Sequence, residues 1–171
     1  MYEALAKGLA LGLLLAISVG PVIFSIIKQS INNGHRGGLS FAIGVAASDI
    51  TLVLVSNVFT ELFNRLLRFE NLIGMVGSSL LIVTGLYFLF FKKVKLSDDG
   101  FTPHVQLRPG DYARIFLGGY FMNTLNPGVI AFWFTWATAF VTMPVNERIV
   151  LFGACLSMVF TADLLKVFLA N

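Results

Sequence analysis

The stretch "SVGPVI" (residues 18–23) places Pro21 inside an apolar run that otherwise reads as a helix. A second stretch, "TLNPGVI" (124–130), repeats the arrangement with Pro127. In a helix interior a proline removes a backbone donor and clashes with the preceding turn, at a cost of about 3 kcal/mol. One such site reads as a tolerated kink. Two in matching surroundings read as paired helix breaks, and that reading decides the fold.

The surroundings are those of a membrane protein. Of 171 residues, 57% are hydrophobic and 12% charged, with a mean hydropathy of +0.83. Soluble domains are usually about 45–50% apolar and about 25% charged, so too little polar surface remains to cover a water-soluble globule. Five apolar runs stand out: Leu5–Ile27, Leu39–Val58, Leu72–Phe91, Ile115–Val141 and Ile149–Ala170. Each reaches the roughly 20 residues that a spanning helix needs. Without water in the bilayer core, each must close its own backbone hydrogen bonds, which makes it a helix. The alternation of a membrane barrel is absent. The first run continues past Pro21 with no A-x-A site after it, so it reads as a retained span and not a signal peptide. Cys155 is the sole cysteine, which excludes an internal disulfide and a CxxC redox site. Between Ala154 and Leu156 it reads as a small buried apolar residue.

Short connectors at 28–38, 60–71 and 143–148 join the runs, and one long polar connector, Lys92–Arg114, is the natural seam between two halves. Lys28, Arg36, Lys92, Lys93, Lys95, Arg108 and Arg114 fall on one side of the membrane. Lys7, Arg65, Arg68 and Arg148 fall on the other. The richer side is expected in the cytoplasm, with the N-terminus outside. That distribution accounts for the net charge of +3 without a nucleic-acid partner.

Setting Pro21 on Pro127 also sets Leu11-Gly12 on Leu117-Gly118, Ser18 on Thr124 and Gly20 on Asn126. Each proline run leads to a run with one acid, Asp49 in the second and Asp163 in the fifth. Corresponding runs lie three helices apart, so the halves enter the membrane from opposite faces. That is the inverted repeat common among secondary transporters. The expected fold class is therefore all-α, a polytopic membrane helical bundle with five spans. Residues 1–91 form the first repeat, 92–114 a cytoplasmic loop and 115–171 the second repeat. A three-plus-three plan calls for a sixth span, which is expected to be missing by truncation, with a natural five-span form as the alternative.

Ala4, Gly8, Gly12, Ala16 and Gly20 recur every four residues, and Ser40, Gly44 and Ser48 do the same in the second run. Such stripes let helices approach closely in lipid. The prolines are expected to free the carbonyls of Ile17 and Asn123 one turn earlier. Freed carbonyls must face protein, water or substrate. A midplane substrate site at Gly20, Pro21, Asn123, Asn126 and Pro127 follows. Asp49, near the middle of its span, is costly unless paired, hydrated or protonated, and is a candidate for proton coupling or for holding a cationic group. Asp163 is a second candidate, with an ion pair to Lys166 on the same face as the structural alternative. The aromatic run "FWFTW" (132–136) is expected to face lipid at the interface, with a cage for a cation as the alternative.

"GLALGLLLAISVGPVI", "NNGHRGGLSFAIGVAASD", "FLGGYFMNTLNPGVIAF" and the Asp163 run together resemble the lysine-exporter superfamily, in particular its threonine/homoserine exporter type. The resemblance covers nearly the whole chain. It implies six helices in an inverted repeat and export of amino acids or their relatives on the proton gradient. It also implies a central site at Gly20, Pro21, Asn126 and Pro127, with Asp49 and Asp163 nearby. The chain departs from the family at Val19, where a second proline is usual, and at Gly128, where a lysine is common. One cysteine cannot supply the paired cysteines of an electron-carrying branch, and His35 and His104 fall in loops and form no metal cluster. No cofactor, no metal site and no enzyme motif is expected. The expected partners are a small amino-acid-like substrate and the lipid bilayer, with a homodimer open as the assembly. The expected place is a bacterial inner membrane, crossed several times. The sequence leaves two alternatives, a metal or cation exporter of the same superfamily and a non-transporting membrane scaffold subunit.

Overall fold

The computed structural model describes residues 1–18, 20–65 and 109–170. The described residues up to Thr60 and from Pro109 onward belong to one compact unit. Their regular structure is helical: α1 (Tyr2–Ile17), α2 (Pro21–Arg65), α3 (Pro109–Thr124), α4 (Pro127–Ala139) and α5 (Val145–Leu169). The third apolar run, most of the Lys92–Arg114 seam, Val19 and His104 lie outside the described residues.

Both prolines open helices; neither interrupts one. Pro21 begins α2 and Pro127 begins α4. At that position a missing N–H costs nothing and the fixed φ suits a first turn. The single spans expected over 5–27 and 115–141 are therefore each two helices joined by a break. Ser18 leaves the helix with φ −59° and ψ 111°. Asn126 does the same before α4, with φ −80° and ψ 111°. The α1 helix has 16 residues. At 1.5 Å per residue it is about 24 Å long, shorter than a hydrocarbon core of about 30 Å. The α3 helix likewise has 16 residues. Its described part includes Pro109 and Asp111, ahead of the apolar run, and both residues suit a first helical turn.

Helix α2 is a hairpin. Gly34 has φ 66° and ψ −177°, a region open essentially only to glycine. The connector expected over 28–38 is thus helical on both sides of a one-residue reversal. The limbs 21–33 and 35–60 run antiparallel. A Cβ on Gly38 would collide with Ser30 Oγ, and Ile26 clusters with Phe41, Ala42 and Val45. Each half therefore runs in one order: a 16-residue helix, a break, a half-helix opened by proline, a reversal and a long helix.

Packing pairs the halves crosswise. Gly8 lies against Leu151 and Ala154, and Gly12 against Cys155 and Met158, so α1 and α5 run parallel. A Cβ on Gly12 would sit 2.7 Å from the Cys155 carbonyl oxygen. On the other seam Ser40 Oγ donates to the Tyr112 carbonyl at 2.7 Å, Gly44 meets Phe116 and Tyr120, and Gly119 meets Phe41. The limb 35–60 and α3 therefore also run parallel. Pro21 and Pro127 are 106 residues apart, and Asp49 and Asp163 are 114 apart. Moved by those offsets, the contact of Gly12 with Cys155 becomes residue 118 with residue 41. The observed contact is Gly119 with Phe41. An up-down pair of helices repeated in inverted sense makes both cross-pairs parallel, as found.

The small stripes thus hold the seams, since glycine lets backbones meet where a Cβ would not fit. Gly20 is the exception, with nothing within 4 Å of a Cβ built on it. Away from the seams the helices stay apolar: Leu9, Leu13 and Ile17 on α1, and Ile43, Ile50 and Leu54 on α2, are all exposed. A helix apolar on its outer face as well as its inner one belongs in lipid. Pro21–Thr60 and Val145–Leu169 are long and apolar enough to cross a membrane. Because the first of these folds back at Gly34, only the limb that follows it is a continuous candidate span.

Candidate functional site

The two breaks meet at a cavity of about 290 Å³. This is the small end of ligand pockets, which run from roughly 300 to 1,000 Å³. Gly20 and Pro21 line it from the first break, Asn123 and Asn126 from the second, and Asp49 and Asp163 from the long helices. Six of the seven expected site residues are therefore brought together, counting from these lining residues. Pro127 is not on the wall. Its role is to start α4, and its neighbour Gly128 reaches the cavity instead.

Local structure explains the wall. Asn126 caps α4, its side-chain Oδ1 accepting the Gly128 N–H at 3.0 Å. Its backbone N–H donates to the Asn123 carbonyl at 3.1 Å. The carbonyl expected to be freed by Pro127 is thus satisfied within the break. Gly20, the counterpart of Asn126, has no side chain to cap the start of α2, where the Ile23 N–H donates to its carbonyl at 3.2 Å.

Asp49 is 3% exposed. Its Oδ1 accepts from Asn123 Nδ2 at 2.8 Å and from Trp133 Nε1 at 3.0 Å. Asn123 Nδ2 also donates to Ser48 Oγ at 3.2 Å, and Ser48 and Thr124 share a hydrogen bond of 2.7 Å. Two neutral donors on one oxygen leave Oδ2 without a hydrogen-bond partner among the described residues. Such hydrogen bonds offset part of the cost of desolvating a buried carboxyl group.

Trp133 corrects the reading of the aromatic run as lipid-facing. Its side chain is fully buried, packed against Phe132 and Phe152, with its N–H on Asp49. Phe132, Phe134 and Trp136 around it are partly exposed. The signal was present in the spacing: Val129, Trp133 and Ala137 recur every four residues and form the buried stripe of α4.

Asp163 is 5% exposed and accepts from Lys166 Nζ at 2.8 Å, the expected ion pair. Lys166 also lines the cavity. Asp49 and Asp163 line a second, mostly apolar cavity on the far side, together with Ile43, Ile50, Leu156 and Phe160. The two acids thus stand in the wall between the cavities. Cys155 is fully buried, as read from its neighbours. Among the described residues, no group of three or more His, Cys, Asp or Glu could hold a metal ion.

A family model described as "LysE type translocator" matches residues 13–168. The match spans both breaks, both acids and Trp133. No curated protein and no solved structure matches the chain significantly.

Proposed function

The chain belongs to the LysE type translocator family, and from that premise we propose that it is a multi-pass carrier of a bacterial plasma membrane. In this reading it exports amino acids or similar small polar metabolites in exchange for protons. Membership makes it a membrane transporter; the substrate, the coupling and the residue roles are our assignment. The observation that carries it is the cavity at the two helix breaks, walled by two carboxylates.

In this reading Gly20, Pro21, Asn123 and Asn126 form the substrate wall, and Pro127 fixes the start of α4 that presents it. Discontinuous helices at mid-membrane, with polar groups at their ends, are the usual way a transporter builds such a site. Asp49 exchanges the proton. Its Oδ1 is held by Asn123 and Trp133, which fixes the carboxyl in one orientation. Oδ2 can then take either a proton or the ammonium of a substrate, and not both at once. That exclusion couples the two: substrate leaves as a proton arrives. Asp163, in the same wall, is the second carboxyl and joins the exchange only when its ion pair with Lys166 opens.

The half-helices 21–33 and 127–139 each join a break at one end to a reversal at the other. Rocking them against the glycine-tight seams opens the cavity to alternate sides. The test is an export assay in a strain stripped of its own amino-acid exporters. Expression is expected to lower internal amino-acid levels and raise tolerance to amino-acid overload. Efflux no greater than in vector controls, for every amino acid assayed, would sink the proposal.

A further inference from the structure

We infer that Lys166 is a specificity-determining residue, which together with Asp49 restricts the cavity to molecules carrying an anionic group beside their amine. This rests on the transport reading above and concerns which small molecules pass.

The two halves of the repeat differ around their acids. The 114-residue offset that sets Asp49 on Asp163 sets Leu52 on Lys166 and Ser48 on Ala162. The 106-residue offset sets Ile17 on Asn123 and Ile27 on Trp133. Each neutral donor that serves Asp49 from α3 and α4 thus has an apolar counterpart in the first half. The cation that serves Asp163 has an apolar counterpart too. The two acids stand in one wall, yet one is held by neutral amide and indole N–H groups and the other by an ammonium.

That asymmetry gives the cavity two ends. Asp163 and Lys166 neutralise each other, so the uncompensated negative charge is Asp49, and an amine belongs there. Lys166 Nζ carries three donors and spends one on Asp163 at 2.8 Å. Its side chain is 21% exposed, against 8% for Asp163, and it lines the cavity. Its remaining donors suit a carboxylate or another anionic group. The start of α2 lies in the same wall, through Pro21 and Val22, and adds the favourable field of a helix N-terminus. The assignment itself stands on Lys166.

A simple amine offers Lys166 nothing. Its binding would still strip water from the ammonium, and a polar group left without a partner weakens binding. Sites built around hydrogen bonds to one substrate group reject analogues lacking it by as much as 10⁴–10⁵-fold. Here Asp163 already satisfies Lys166 in part, so a preference of at least about tenfold is expected.

The experiment is counterflow in vesicles containing the purified full chain. It uses three amino acids and their decarboxylated amines: threonine with 1-amino-2-propanol, leucine with isoamylamine, and lysine with cadaverine. The wild type is expected to exchange at least one amino acid at least about tenfold faster than its amine. The paired change Lys166→Leu with Asp163→Asn, which removes the ion pair without stranding a charge, is expected to bring that ratio close to one. Lys166→Arg is expected to keep it. A misfolded variant loses both probes together, so the ratio is the readout, and the wild-type ratio is a test in its own right. Amines moved by the wild type as fast as their parent amino acids would overturn the inference while leaving transport standing. So would a ratio unchanged in the paired variant. Vesicles that move none of the six probes would overturn the transport reading and this inference with it.

Discussion

Replacing Trp133 with phenylalanine probes the contact that sequence patterning did not reveal. The indole N–H lies 3.0 Å from Asp49 Oδ1, and both residues are buried. A hydrogen bond to a charged group contributes about 1.5–3 kcal/mol, and one between neutral groups about 0.5–1.5 kcal/mol. Trp133→Phe also removes ring packing against Phe132 and Phe152. A double-mutant cycle with Asp49→Asn cancels that loss, because the same ring is removed in both backgrounds. The asparagine keeps an acceptor oxygen but not the charge. Trp133→Phe is therefore expected to cost about 1–1.5 kcal/mol more beside the aspartate than beside the asparagine. Equilibrium unfolding in detergent at alkaline pH, which favours the carboxylate, measures it. Additivity of the two changes within about 0.3–0.5 kcal/mol would refute the contact as an energetic link.

Two further outcomes follow from the geometry. Gly118 and Gly119 are neighbours on α3, but a Cβ on Gly118 meets open space and one on Gly119 meets the Phe41 carbonyl. Gly118→Ala is expected to stabilise the protein by roughly 0.5–1 kcal/mol through helix propensity, and Gly119→Ala to destabilise it, both read from thermal melts. Asn126→Ala removes the cap on the Gly128 N–H and is expected to cost about 0.5–2 kcal/mol, with Asn126→Ser restoring most of it.

Much of this architecture was legible in the residues. The two prolines announced the breaks, because proline has few roles in an apolar run. The four-residue spacing of Gly8 and Gly12 announced a seam, and Asp49 stood out by its cost in lipid. Three features were not legible. The polar segment 28–38 looks like a loop by composition, yet Gly34 alone makes the reversal, so the fold-back was hidden by its own sequence. The four-residue spacing of Val129, Trp133 and Ala137 marks an inward stripe, but only packing shows Trp133 against Asp49. Lys166 was visible as an ion-pair partner, but its place on the cavity wall depends on how α5 lies against the first break.

The central claim is that Asp49 links proton movement to substrate movement at the cavity between the breaks. Its most direct test compares wild-type and Asp49→Asn protein in vesicles, measuring amino-acid uptake driven by an imposed pH gradient beside counterflow without one. The account predicts that Asp49→Asn abolishes the gradient-driven component. Any counterflow that survives the substitution is expected to be indifferent to pH. Gradient-driven accumulation by Asp49→Asn equal to that of the wild type would contradict it.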